Sequence, residues 1–454
     1  MTGRFDGERV VVIGAGVAGT AATTVLRREG AEVTVSEARP APDVPTLEEL
    51  EASGVRVLAG GHEPAHLDGA TLVVTGPGVP EGAPVLAWAR ERGVPVWGEM
   101  ELGARLCDVP YIAVTGTNGK TTVTGMIAEC LRAGGIDAEA CGNIGHPFPV
   151  AAVEGRAALV VECSSFQLRF QESLHPRISV LLNLAPDHLD WHGTFDRYAE
   201  AKAAVFRNQT REDVHIGNRD DPDARMLSAR APCRIVWTTQ GEPGEGEVGF
   251  LDGTLVSRLA DGPASLGTIA AGRAGYRADA AAAAAAALAF GVGGDAVRGG
   301  LAAFTPASHR GEVVATADGV AFVDNSKATN VHAAMAAIEG VDHAVLVAGG
   351  RAKGVDLTPL GRGASHLEAV VVIGEAAPEL ARVFEGVLPV VQAGSIEEAV
   401  GAAFGLARPM RRTVLLAPAC ASWDQFSGYA ERGDRFAAAA RSLEAEEVNA
   451  GGRS

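Results

Sequence analysis

Short runs of β-branched and aliphatic residues alternate with helical stretches through the first hundred positions. RVVVIG, AEVTVSE, ATLVVTGPG and VPVWGE read as buried strands, with TLEELEASG between two of them. Thr46 followed by Glu49 predicts a capping-box helix start, and Gly54 predicts its end. A second block begins at Val109. Its apolar runs YIAVTG, AALVVECSS and ISVLLNLAPDH each end in polar residues, and a third block from about Pro306 repeats the pattern in GVAFVDNSKATN, HAVLVAGG, EAVVVIGE and TVLLAPACAS. Strands alternating with helices predict α/β units and mainly parallel sheets. Three domains follow, over 1–108, 109–305 and 306–454. Within the second, the Gly/Glu-rich GEPGEGEVGFLDGTL predicts a hairpin, and the eight alanines Ala280–Ala287 predict a buried or half-buried helix.

Composition narrows the class. With 454 residues, 47% hydrophobic and 21% charged, the chain reads as a globular protein with more than one core. A net charge of −17 disfavours a nucleic-acid partner, although local cations and backbone N–H groups can still hold a small anion. Six cysteines stand singly, with no CxxC pair, which fits a reducing compartment. Glycines and mixed charge around Val10 argue against a secretory leader, and no apolar run is long enough for a membrane span. The expectation is a cytoplasmic protein with no membrane partner.

The sharpest chemical signal is GTNGKTT, between the run YIAVT and a helix whose apolar positions are Val123, Met126, Ile127, Cys130 and Leu131. Gly116, Thr117, Asn118 and Gly119 can turn backbone N–H groups toward phosphate, and the following helix N-terminus adds positive partial charge. Lys120 supplies a charge for terminal phosphates, and the hydroxyls of Thr121 and Thr122 follow it, with Thr121 suited to Mg²⁺. Val114 stands where the longer GxxxxGK[ST] pattern has its first glycine, so the loop is a shortened variant. Glu162 closes the strand AALVVE, where a carboxylate can reach the metal, and His188 lies at the end of another. Asp187, His188, Asp190 and His192 could also suggest zinc, but their spacing suits an irregular turn better.

Upstream, GAGVAG (Gly14, Gly16, Gly19) has the GxGxxG form, with Glu37 about twenty residues on. Alone it reads as NAD binding, giving an oxidoreductase fused to an NTPase as an alternative. A lone GxGxxG is weak, since other nucleotide diphosphates can occupy such a turn.

GTNGKTT, GNIG (Gly142–Gly145), ECSSFQL, DHLDWHG…YAEAK, HR (His309, Arg310), SKATN, GGRAKGVD and LLAPACASWDQF…YAERGDRF follow in an order that resembles the Mur ligases over essentially the whole chain. The resemblance implies a Rossmann-like N-terminal UDP-binding domain, a central phosphate-loop ATPase domain and a C-terminal Rossmann-like domain. It also implies an ATP-dependent amide ligase of peptidoglycan precursor synthesis, adding D-glutamate to UDP-N-acetylmuramoyl-L-alanine through an acyl phosphate. Lys120, Glu162, His188 and Lys202 are then the catalytic set. Two Mg²⁺ ions would be held by Thr121, Glu162, His188 and a carbamylated Lys202; without the resemblance, Lys202 reads as a solvated helix lysine. Arg310 and Lys327 join the phosphate loop in binding ATP, with Lys327 reaching it across a cleft that closes. Val17, Ala18, Glu37, Arg39, Gly78 and Asn143 fall to the UDP substrate, while Thr329, Lys353, Ser422 and Tyr429 fall to glutamate. For Ser422 a helix N-cap, and for Lys353 a plain loop lysine, stay open as alternatives. A monomer is expected. A related ligase for L-glutamate or another carboxylate remains an alternative.

Three positions depart from the family pattern. GYRAD (Gly275–Asp279) replaces HNxxN before the alanine helix, which removes an expected adenosine contact unless Tyr276 stacks in its place. Asn325 stands where an acid normally precedes SKATN, with Asp324 one place earlier, and Arg351 adds a cation to GGRAKG.

Overall fold

The computed structural model describes residues 3–259, 264–268 and 276–451. Those within 1–184, 196–268 and 278–304 form one compact unit, and those within 185–195, 276–277 and 305–451 form another.

The first unit carries two sheets. One contains β1 (Arg9–Ile13), β2 (Glu32–Glu37), β3 (Arg56–Ala59), β4 (Leu72–Thr75) and β5 (Val96–Gly98), all parallel in the order β3-β2-β1-β4-β5. Val10 and Val12 face one apolar cluster with Leu26, Val33 and Val35, while Val11 and Ile13 face another with Leu86 and Val73. Burial on both faces is why RVVVI reads as a continuous apolar run instead of an alternating one.

The other sheet has nine strands: β6 (Tyr111–Thr115), β7 (Ala138–Gly142), β8 (Ala158–Glu162), β9 (Ile178–Leu181), β10 (Val214–Asn218), β11 (Arg234–Thr238), β12 (Val248–Leu251), β13 (Thr254–Ser257) and β14 (Ala264–Thr268). Their order is β14-β13-β12-β11-β10-β9-β6-β8-β7. Pairing is parallel from β7 to β12, and the Gly/Glu-rich stretch adds the antiparallel hairpin β12–β13 at the edge. Ala280–Ala287 are all buried in the helix Tyr276–Phe290, since methyl side chains let neighbouring elements pack closely around the backbone.

In the second unit, β15 (Glu312–Ala317), β16 (Val320–Asp324), β17 (Ala344–Gly349), β18 (Leu367–Ile373), β19 (Val390–Gln392) and β20 (Val414–Ala419) take the order β15-β16-β20-β17-β18-β19. Only β15 runs antiparallel.

Two local expectations change. Thr46 is the first helical residue after Pro45, and its hydroxyl donates to the Ala15 carbonyl at 3.3 Å, so no capping box forms. A tertiary acceptor has replaced the local one. Ser422 is not a helix N-cap either, because the helix there begins at Tyr429.

Candidate functional site

In the nine-stranded sheet, β6 is flanked by β8 on one side and β9 on the other, which is the switch point where ligands enter parallel sheets. The phosphate loop leaves β6 there. Gly116 and Gly119 hold φ of +153° and +83°, and a Cβ on Gly119 would overlap the Asp279 carboxylate, so this turn needs glycine twice over. Asn183, just past β9, clamps the loop. Its carbonyl accepts from Thr117 N at 3.0 Å, its Oδ1 accepts from Asn118 N at 2.8 Å, and its Nδ2 donates to the Asn118 carbonyl at 3.2 Å.

Lys120 opens the helix Lys120–Ala133, and its Nζ donates to the Gly116 and Thr117 carbonyls at 3.0 and 2.8 Å. Lys202 is 1% exposed and donates to the Gly116 carbonyl at 2.7 Å, with its Nζ 4.7 Å from the centre of the Tyr198 ring. Tyr198 in turn shares a 2.9 Å hydrogen bond with the Thr117 hydroxyl. The plain solvated-lysine reading of Lys202 therefore fails: the helix Phe195–Ala203 turns this face inward onto the loop. Glu162 ends β8, buried, and its Oε1 accepts from Asn143 Nδ2 at 2.8 Å. Its Oε2 is buried with no hydrogen-bond partner among the described residues. A buried carboxylate oxygen left unpaired is costly, and a cation is the partner that would offset the cost. The donor set of Thr121 hydroxyl and Glu162 carboxylate is one that suits Mg²⁺.

At the five-stranded sheet, β1 lies between β2 and β4, and Gly14, with φ +89°, leaves β1 for the helix Val17–Arg28. A Cβ on Gly19 would overlap the Gly14 carbonyl, which is the close helix-to-strand approach that the glycine spacing anticipated. Val17 is exposed at this turn beside Ala18, and Gly78 is exposed beyond β4. Glu37 Oε2 accepts from Ala15 N at 2.7 Å, while its two oxygens also take Arg39 Nε and Nη2, each at 3.0 Å. The Arg39 guanidinium holds the Glu37 carboxyl well down, at about 2.

The two sheets of the first unit meet through VWGEMEL. Glu101 accepts from Glu172 N and Ser173 N at 2.7 Å each, and Glu99 Oε1 accepts from Gln167 Nε2 at 2.7 Å. Burial pushes the Glu99 carboxyl up to about 7.

The second unit holds the remaining expected residues. His188, with φ +54°, lies seven residues beyond the end of β9 and belongs to this unit, so it does not stand at a strand end. Its neighbour Asp187 is buried and ion-paired with Lys353 Nζ at 2.5 Å, and it accepts from Asn330 Nδ2 at 3.1 Å. Lys353 is thus no free loop lysine. Among the described residues, Asp187, His188, Asp190 and His192 do not converge as a metal-binding cluster. Lys327 Nζ lies 3.7 Å from the centre of the Tyr429 ring, and Thr329 follows in the same turn. Ser422 is buried, its carbonyl accepting from Phe426 N at 2.9 Å. Arg310 is part-buried directly after His309. The displaced acid Asp324 is fully buried: Oδ2 meets His309 Nδ1 at 2.7 Å and Oδ1 accepts from Ser326 N at 2.9 Å. It holds the HR and SKATN turns together from inside the sheet. Of the GYRAD stretch, Gly275 lies outside the described residues, Tyr276 opens the alanine helix, and Asp279 packs on the phosphate-loop turn. Arg351 is exposed, 3.9 Å from Glu375.

Sequence does not single out Asn183, Tyr198 or Asn330 as site residues, and it names Asp187 only within the disfavoured zinc reading. Each sits in a named motif, within one to five positions of a site residue, but which side chain turns inward is set by the loops' tertiary path.

Fold and site together define a multidomain α/β enzyme with a phosphate loop at a parallel-sheet switch point. The chain matches the Mur ligase MurD-like N-terminal domain over residues 8–98, the Mur ligase middle domain over 114–247 and the Mur ligase glutamate ligase domain over 309–420. It belongs to the Mur ligase family. A Streptomyces coelicolor protein named UDP-N-acetylmuramoylalanine–D-glutamate ligase is 41% identical, covering 98% of this chain and 100% of its own. The Frankia casuarinae protein of the same name is 43% identical, covering 97% and 95%. Among solved structures, the MurF ligase from Thermotoga maritima in complex with ADP superposes with a TM-score of 0.60 at 18% identity, covering 98% of this chain and 96% of that one. The glycine turn at Gly14 lies inside the matched N-terminal domain of a ligase family.

Proposed function

We propose that this protein is an ATP-dependent ligase that joins D-glutamate to UDP-N-acetylmuramoyl-L-alanine in peptidoglycan precursor synthesis. The observation that carries the reading is that relatives bearing that activity in their names align over nearly the full chain at about 40% identity. The phosphate loop and the unpaired Glu162 oxygen support the ATP half.

The chemistry follows from the weakness of a carboxylate as an electrophile. An oxygen of the substrate carboxylate attacks the γ-phosphorus, the bond to the β-phosphate oxygen breaks, and ADP leaves. The glutamate amine then forms the C–N bond at the resulting acyl phosphate, a proton leaves the nitrogen, and inorganic phosphate departs with its electron pair. Lys120, the loop N–H groups and the helix N-terminus bind the terminal phosphates. Thr121, Glu162, His188 and Lys202, the last as a carbamate, are the residues that would hold two Mg²⁺ ions, which when bound offset phosphate charge. Val17, Ala18, Glu37, Arg39, Gly78 and Asn143 receive the UDP substrate; Arg310 and Lys327 complete ATP binding. Thr329, Lys353, Ser422 and Tyr429 receive glutamate, whose carboxylates call for a cation and hydroxyl donors. The assigned boundaries are 1–108, 109–305 and 306–454. We assign the protein to the cytoplasm as a monomer; no helix of the described residues is long and apolar enough to cross a membrane.

The test is phosphate release by purified protein with Mg-ATP and UDP-N-acetylmuramoyl-L-alanine, D- or L-glutamate being added in parallel and the product weighed. Release with a glutamate mass gained in the D arm alone is expected. Gain in the L arm alone would move the protein to a related ligase, and no gain in either would overturn the reading.

A further inference from the structure

The helix Tyr429–Gly451 buries an arginine in its first turn. Arg432 is 0% exposed, and among the described residues it forms no ion pair within 4 Å. Its partners are backbone carbonyls and one hydroxyl where three loops leave the sheet: just after β16, at the last residue of β17 and just after β20. Nε donates to Ser326 Oγ at 3.0 Å and Nη2 to the Ser326 carbonyl at 2.9 Å. Nη1 donates to the Gly349 carbonyl at 3.3 Å and the Cys420 carbonyl at 3.1 Å. Ser326 Oγ passes the connection on to the Tyr429 carbonyl at 2.8 Å.

Each loop carries a residue assigned above to a substrate. Ser326 directly precedes Lys327, Gly349 lies four residues before Lys353, and Cys420 lies two before Ser422. The same loops are also tied directly: Arg351 and Ala421 exchange backbone hydrogen bonds at 2.8 and 3.0 Å, Ala419 N donates to the Ala328 carbonyl at 2.9 Å, Asp187 joins Lys353 to Asn330, and Gly350 comes so close to the Ala421 carbonyl that a Cβ there would overlap it. The Asp424 and Asp324 carboxylates favour this buried charge only through space, with no direct ion pair among the described residues, so it is expensive and brings no stability that an apolar side chain could not match. What a guanidinium offers instead is a rigid planar fork of donors, able to fix several acceptors at once.

We propose that Arg432 is the positioning residue of the second unit, setting Lys327, Lys353 and Ser422 in register by binding the carbonyls of their three loops. ATP and glutamate affinity are thereby coupled through one side chain that touches neither ligand. The inference rests on the ligase reading and on the assignments of Lys327, Lys353 and Ser422 within it.

The test compares wild type, Arg432→Lys and Arg432→Ala. Lysine keeps the charge but presents one nitrogen where the fork presents three. KM for ATP and KM for D-glutamate are each expected to rise about tenfold or more in both variants, the scale of losing a charge-assisted hydrogen bond. KM for UDP-N-acetylmuramoyl-L-alanine, whose assigned residues lie in the first unit, stays within about twofold. Guanidinium ion added to Arg432→Ala is expected to restore both raised constants toward wild type. A fall in kcat with all three KM values unchanged, or a rise in all three together, or wild-type constants in Arg432→Lys, would each overturn the tie. Wild type run in parallel reports on the ligase reading separately. If wild type joins no glutamate, that reading falls, and the ADP affinity of Arg432→Lys against wild type still decides whether the loops are held.

Discussion

Glu162 shows how one residue's environment can identify a role. One carboxylate oxygen is satisfied by Asn143, and the other is buried without a partner among the described residues. Most buried carboxylate oxygens are paired, so an unpaired one beside a phosphate loop calls for an explanation. Glu162→Gln is therefore expected to leave thermal stability unchanged or raised, while turnover falls about a hundredfold or more, as for loss of a group that stabilises transition-state charge. ADP titrated calorimetrically should bind wild type more tightly with Mg²⁺ than with EDTA, and the variant should lose that difference. An unchanged Mg²⁺ dependence would separate Glu162 from the metal. Lys202 and Tyr198 belong to the same scale: they meet Gly116 and Thr117 by side-chain atoms more than eighty residues away in sequence.

At the scale of elements, the seam between the two sheets of the first unit is pH-sensitive. Glu99, at the start of the helix Glu99–Leu106, is buried against Gln167, and burial raises its pKa from 4.5 to about 7. The folded state therefore holds this proton to a higher pH than the unfolded chain does. Its contribution to stability is full below about pH 4.5 and is lost as pH rises toward 7, on the order of 3 kcal/mol over that window. Glu99→Gln keeps a neutral hydrogen-bonding side chain. Urea midpoints measured from pH 4.5 to 7.5 should fall for wild type and be flatter by that amount for the variant; parallel curves would mean that Glu99 ionises normally.

Most elements were legible in the amino-acid pattern for one reason: strands buried on both faces read as unbroken aliphatic runs, and helices between them carry one apolar stripe. The capping box expected at Thr46 does not form because a hydroxyl with a tertiary acceptor in reach does not need a local one. The apolar pattern puts His188 at a strand end, whereas β9 ends at Leu181 and His188 belongs to the other unit. Apolar pattern marks where a strand is, but a polar run such as NLAPDH does not state how far it travels.

For the whole molecule, the assigned residues are divided. Lys120, Thr121, Glu162 and Lys202 belong to the first unit, and His188, Lys327 and Lys353 to the second. A ligand that contacts residues of both units stabilises both. Mg-ADP with UDP-N-acetylmuramoyl-L-alanine, each at about a hundred times its Kd, is expected to add about 2.7 kcal/mol per bound ligand. Calorimetric scans should then show the whole unfolding endotherm moving upward. Stabilisation confined to one part of a split endotherm would place the contacts on a single unit.

The sequence by itself determined the α/β class, the strands, the two glycine turns and the order of motifs. These rest on local properties: apolar period, glycine's access to positive φ and the chemistry of a lysine after it. Only the tertiary structure decided which side chains turn inward. Asn183 clamps the phosphate loop, Asp324 takes His309, Asp187 takes Lys353, and Arg432 gathers three loops. Such pairings join residues far apart in the chain, and they are selected by which acceptors lose water together when the sheets close, a condition that no local stretch of residues encodes.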